Sequence, residues 1–136
     1  MKIGIFGGTF NPPHLGHLAA ARTAINVLGL DKLLIIPASI PPHKELPEGT
    51  PAPEHRLAMA GKLAGALLLP DKVEVSSLEL DRTGKSYTSD TLAQLKETYP
   101  DAELWLLMGT DMFLTLHLWH EPGRILELAG ICAFGR

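Results

Sequence analysis

Cysteine is almost missing from this chain: of its 136 residues, Cys132 is the only one. A single thiol excludes an intramolecular disulfide and fits a reducing compartment. An excess of positive charge is missing too. Twelve basic and 15 acidic side chains leave a net charge of −3, which gives no field to hold DNA or RNA. No apolar run approaches the ~20 residues that span a bilayer. The amino terminus enters an apolar run at once, without a signal peptide, so the expected location is the cytoplasm. With 46% hydrophobic and 20% charged residues the chain is not a disordered one. No repeat, low-complexity tract or linker divides it, and a single domain over residues 1–136 is expected.

Two common phosphate-binding strings are also missing. No Gly-Lys-Ser/Thr closes a nucleoside-triphosphatase loop, and there is no dinucleotide fingerprint G-x-G-x-x-G. What stands in their place is the opening stretch MKIGIFGGTFNPPHLGH. Residues 2–6 read as a buried strand. Gly7, Gly8, Thr9 and Phe10 follow, then the turn signal Asn11-Pro12-Pro13. From Leu15 the pattern becomes helical, with Leu18, Ala21, Ile25 and Leu28 at three- and four-residue steps, and Gly29 ends the helix. Glycines let a backbone approach a bulky anion, and a helix start adds free N–H groups and the positive end of the macrodipole. The stretch reads as a phosphate site carrying two imidazoles, His14 and His17, which lie three apart on one helix face.

Further along, residues 33–37 (LLIIP) read as a second buried strand, reached by a right-handed crossover. Residues 38–53 carry five prolines and one glycine, the composition of a functional loop, with Lys44 placed to close over phosphates. A helix is expected over residues 54–68, with Leu57, Ala60, Leu63, Ala64 and Leu67 on one stripe. A short strand is expected at 73–75 and a solvated polar segment at 76–86. A helix capped by Thr88 or Ser89 should run to about Tyr99, where Pro100 stops it. Residues 103–108 read as a fourth strand, followed by Gly109-Thr110-Asp111 and a segment poor in helix. A helix at 122–128 and a strand at 131–134 complete the pattern. Alternating strands and helices give an open parallel α/β sheet whose ligands sit at the carboxyl ends of its strands. The polar pieces 9–17, 39–44 and 109–111 would gather at that edge.

The string GGTFNPPHLGH resembles the nucleotidyltransferase superfamily with the H-x-G-H signature, here His14-Leu15-Gly16-His17. The longer match GGTF-x-P-x-H-x-GH is similar to its bacterial nicotinate mononucleotide adenylyltransferase branch. A second likeness lies in Glu79 and Arg82, spaced E-x-x-R, followed by Ser86-Tyr87-Thr88-Ser89-Asp90-Thr91 for the branch's S-Y-T-x-D-T. The resemblance implies a Rossmann-like open parallel sheet with flanking helices, of the nucleotidylyltransferase α/β phosphodiesterase type. It implies adenylyl transfer from ATP to nicotinate mononucleotide, a step of NAD biosynthesis. It makes His14 and His17 catalytic. Gly7, Gly8, Thr9, Phe10, Lys44, Gly109 and Asp111 would bind phosphate and ATP, with Asp111 on a ribose. Thr88, Trp119 and Lys44 would bind nicotinate mononucleotide, the backbone near Thr88 holding the carboxylate and Trp119 stacking on the pyridine. Arg56 occupies a recurring family position.

Such transfers depend on positioning and charge stabilisation, and the attacking phosphate is already ionised, so no general base is needed. A zinc site from His14, His17, His117 and His120 would lack the carboxylate or thiolate usual in catalytic sites. The expected metal is Mg²⁺ bridging the triphosphate, held by phosphate oxygens and water with no protein side chain. Asn11 replaces the more usual Asp of the family string, and no closing I-S-S-T-x-I-R string is present, although Arg136 matches an arginine that ends the family's fifth strand. The apolar strand ending at Gly135-Arg136 has no helix to cover it, so a chain truncated at its carboxyl end is expected. Two alternatives stay open: another H-x-G-H enzyme, such as phosphopantetheine adenylyltransferase or a cytidylyltransferase, and a non-catalytic pyridine-nucleotide-binding module. An open sheet edge also invites a homo-oligomer.

Overall fold

A computed structural model describes residues 1–8, 15–38, 53–82 and 86–135. Five strands, β1 (Lys2–Gly8), β2 (Lys32–Pro37), β3 (Val73–Val75), β4 (Glu103–Gly109) and β5 (Ala129–Phe134), form one sheet in the order β3-β2-β1-β4-β5. Every pairing is parallel. The helices are α1 (Leu15–Leu28), α2 (Pro53–Ala66), α3 (Thr88–Thr98), α4 (Thr110–Phe113) and α5 (Pro122–Leu128), with a 3₁₀ turn at Leu116–Leu118.

Parallel strands must be covered on both faces, which is why their apolar runs are nearly continuous. Alternate side chains of each strand serve opposite faces. Ile3, Ile5, Leu34, Ile36, Leu104, Leu106 and Met108 pack with Leu92 and Leu95 of α3 and Ile125 of α5. On the other face Phe6, Leu33, Ile35, Val73 and Leu107 pack with Ala21, Ala24 and Ile25 of α1 and Ala60 and Leu63 of α2. Gly4 lies on this second face, where a Cβ would come within 2.5 Å of the Leu30 side chain. The glycine inside β1 is therefore demanded by packing.

The predicted elements are all present, with small shifts at their ends. β1 continues through the two glycines to Gly8, because Gly7 and Gly8 still pair with Ile36 and Pro37. α2 stops at Ala66 instead of running to Leu68, which takes a left-handed conformation (φ 56°) and turns the chain towards β3. Two expectations are corrected. The cap of α3 is Tyr87, in extended conformation, with no side-chain hydrogen bond to the helix; neither Thr88 nor Ser89 serves. The segment after β4, expected to be poor in helix, contains α4 and the 3₁₀ turn.

Candidate active site

The sheet changes direction at β1. From there the chain builds outward through β2 to β3, then returns to place β4 and β5 on β1's other side. Such a switch point opens a crevice at the carboxyl ends of the two strands. Here the opening is visible in the register. β1 stays paired with β2 out to Gly8 and Pro37, and β4 with β5 out to Gly109 and Phe134. Between β1 and β4 the last pair is Phe6 with Leu107. Beyond it the sheet forks, with Gly7-Gly8 on one prong and Met108-Gly109 on the other.

Gly7 is exposed in this fork. Its φ lies outside the left-handed region, and a Cβ would find only the Ile36 carbonyl oxygen, at 3.8 Å, among the described residues. Neither backbone conformation nor packing against the described residues requires a glycine there. Below it the buried Phe6 ring contacts the His17 imidazole, with centroids 5.8 Å apart, and meets Phe134 edge-on at 5.6 Å. His17 is thus held in the first turn of α1, beside the end of β1, and that turn carries no acidic residue to offset the helix dipole. On the opposite prong the Thr110 hydroxyl donates to the Phe134 carbonyl at 3.1 Å, tying α4 to the end of β5. Asp111 follows, exposed.

The start of α3 is fixed by a polar cluster that the sequence reading took for a solvated segment. The Arg82 guanidinium donates to the hydroxyls of Ser86 (2.6 Å) and Thr91 (2.8 Å) and to the Gln94 side-chain oxygen (2.8 Å). Thr91 in turn donates to the Glu79 carboxylate at 2.8 Å. Burial pushes the Glu79 carboxyl above the ordinary carboxylate range, against the opposing pull of Thr91 and Arg82. Ser86 and Thr91 are buried, so both hydroxyls need the partners they have. The spacing E-x-x-R…S-Y-T-x-D-T therefore has a physical reason in this chain: it closes one network around the first turn of α3. Ser89, which the sequence offers as a cap, has instead a buried hydroxyl with no hydrogen-bond partner among the described residues, and the Tyr87 ring stacks on His120. Neither leaves a mark in periodicity.

Trp119 is half-buried, packed against the α3 and α5 side of the core, and its indole N–H donates to Thr115 at 3.2 Å. Trp105, by contrast, packs against the opposite core cluster and over Gly130, where a Cβ would meet its ring at 2.8 Å. Arg56 is buried in α2 and donates to the carbonyl of Ala38, whose own N–H donates to Gly8 at 2.8 Å. The arginine thus anchors the exit of β2 beside the glycine turn. Thr9, Phe10, His14, Lys44 and Arg136 lie outside the described residues, as do Asn11 and most of the proline-rich segment. Among the described residues no group of three or more His, Cys, Asp or Glu side chains gathers to hold a metal.

Residues 5–136 match the cytidylyltransferase-like family. The chain belongs to that family, in the branch of the nicotinate-nucleotide adenylyltransferases. A probable nicotinate-nucleotide adenylyltransferase of Shouchella clausii is 43% identical over 99% of this chain and 68% of its own length. One from Trichlorobacter lovleyi is 44% identical over 100% of this chain and 62% of its own. A structure of the Plasmodium falciparum nicotinic acid mononucleotide adenylyltransferase complexed with NaAD superimposes with a TM-score of 0.77 at 17% identity. That match covers 99% of this chain and 75% of the other, and it shows that the fold is shared. The chain spans 57–68% of the length of the curated relatives it matches.

Proposed function

We propose that this chain carries the acceptor half and the reacting centre of an enzyme transferring the adenylyl group of ATP to nicotinate mononucleotide. The observation that carries the reading is the fork between β1 and β4, with a glycine that no described neighbour requires and His17 at its base. A phosphate oxygen of nicotinate mononucleotide attacks the α-phosphorus of ATP. The bond from that phosphorus to the bridging oxygen of the β-phosphate breaks, and pyrophosphate leaves with the electron pair. The products are nicotinate adenine dinucleotide and pyrophosphate. His17, with His14, donates to the non-bridging oxygens as charge develops, an effect worth about 10²–10³ in rate. Gly7, Gly8, Thr9 and Phe10 give the phosphates room, Lys44 and Gly109 add contacts, and Asp111 takes a ribose hydroxyl. Thr88 at the start of α3 and Trp119 receive the nicotinate ring and its carboxylate. A divalent cation, Mg²⁺, would neutralise the triphosphate through phosphate oxygens and water. The relatives' names, and the pyridine dinucleotide bound in the Plasmodium structure, support this substrate class. We further propose one domain over residues 1–136, acting in the cytoplasm; no helix among the described residues is long and apolar enough to cross a membrane. The open edge of β5 offers a place for a second copy to pair.

Pyrophosphate release from Mg-ATP tests the reading, with nicotinate mononucleotide, nicotinamide mononucleotide and phosphopantetheine as acceptors. Release is expected with nicotinate mononucleotide alone. Release with phosphopantetheine alone would transfer the chain to another branch.

A further inference from the structure

We propose that the stacked pair Tyr87–His120 is a clasp that sets the separation between Trp119 and the start of α3, making both positioning residues for whatever ring enters between them. This rests on the reading of Trp119 and Thr88 as the two sides of the pyridine slot. Tyr87 immediately precedes Thr88, and His120 immediately follows Trp119, so each partner of the stack is bonded to one side. The two rings lie 4.2 Å apart with planes inclined by 28°, a stacked geometry.

Both ends are braced. On the α3 side, the Tyr87 carbonyl accepts from the backbone N–H groups of Asp90 and Thr91, each at 3.1 Å. Its backbone is therefore fixed and only the ring reaches outward. On the other side, the Trp119 N–H donates to the Leu116 carbonyl at 3.0 Å and its indole to Thr115. His120 also lies 3.5 Å from the Glu121 carboxylate. Glu121 sits in the left-handed region (φ 49°, ψ 59°), which a residue with a side chain adopts only where its surroundings over-determine it. Nothing in the core requires the contact, since the His120 side chain is half exposed. What the contact does is join two segments 33 positions apart that share no strand pairing.

The test uses the full chain carrying Trp105→Phe, so that Trp119 is its only tryptophan. Tyr87→Leu and, independently, His120→Ala remove the stack, while Tyr87→Phe keeps a ring. Acrylamide quenching of Trp119 should rise in the first two and stay unchanged in the third, with the unfolding midpoint little altered. By calorimetry the dissociation constant for nicotinate mononucleotide should rise about three- to tenfold with the stack lost, and Tyr87→Phe should restore it. Affinity for ATP should not move. Quenching unchanged in both Tyr87→Leu and His120→Ala overturns the clasp, whatever the ligand does. A wild-type chain that binds no nicotinate mononucleotide, but whose Trp119 is still released by both variants, supports the clasp and overturns the pyridine reading instead.

Discussion

Gly7 separates two reasons for a glycine that sequence alone cannot tell apart. Gly4, three residues earlier, is required by packing, since a Cβ would collide with Leu30. At Gly7 a Cβ meets nothing closer than 3.8 Å among the described residues. Gly7→Ala should therefore leave the unfolding midpoint nearly unchanged while lowering kcat/KM by roughly 10²-fold, the scale of a small misplacement of reacting groups. A variant that lost stability and kept activity would show the glycine to be structural. Glu79 and Thr91 form a second pair of arguments at this scale. Thr91→Val keeps the shape but removes the hydroxyl shared by Arg82 and Glu79, and should cost about 1–3 kcal/mol in denaturant titration. Burial raises the proton affinity of Glu79 in the folded state. A raised carboxyl favours folding as pH falls through its folded-state pKa, until the ordinary carboxylate range is reached. The stability of the wild type relative to Glu79→Gln should thus grow as pH is lowered from neutral. A difference that shrank would mean that the charge of Arg82 outweighs burial. Of these residues, the glycines, His17 and Trp119 stood out in the sequence, because turn chemistry and an unusual string are local signals. The burial of Glu79 and the stacking of Tyr87 did not, because both depend on a partner 12 or more positions away.

Elements were the most legible level. Apolar periodicity placed all five strands and the helices α1, α2, α3 and α5 to within about two residues, because parallel strands buried on both faces write continuous apolar runs. The errors fell where backbone conformation, rather than burial, decides. α2 ends at Ala66 because Leu68 enters the left-handed region, a state that glycine or asparagine announces in a sequence and leucine does not. Leu68 is 80% exposed, so its side chain contributes little there. Leu68→Gly should then raise stability by about 0.5–1 kcal/mol, read as a higher thermal midpoint; a lower one would show that the Leu68 side chain packs in a way its exposure does not reveal. α4 and the 3₁₀ turn were missed because runs of three or four residues have no period to detect.

At the scale of the whole molecule, function follows from strand order. The order β3-β2-β1-β4-β5 parts β1 from β4 beyond Phe6 and Leu107, and the glycines, His17 and Asp111 stand at or beside that parting. Alternation of strands and helices made the parallel sheet legible and put the polar pieces after β1, β2 and β4 at one edge, but which two strands part there depends on the strand order, which no local pattern encodes. On the proposed reading the adenylyl group of ATP, α-phosphorus included, passes to nicotinate mononucleotide at this fork. The most direct measurement is to follow label from ATP labelled at the α-phosphorus. Labelled nicotinate adenine dinucleotide is expected from the wild-type chain, at a rate about 10²–10³ times that of His17→Ala. Labelled dinucleotide formed equally well by both proteins, or label appearing only as AMP, would contradict that reading.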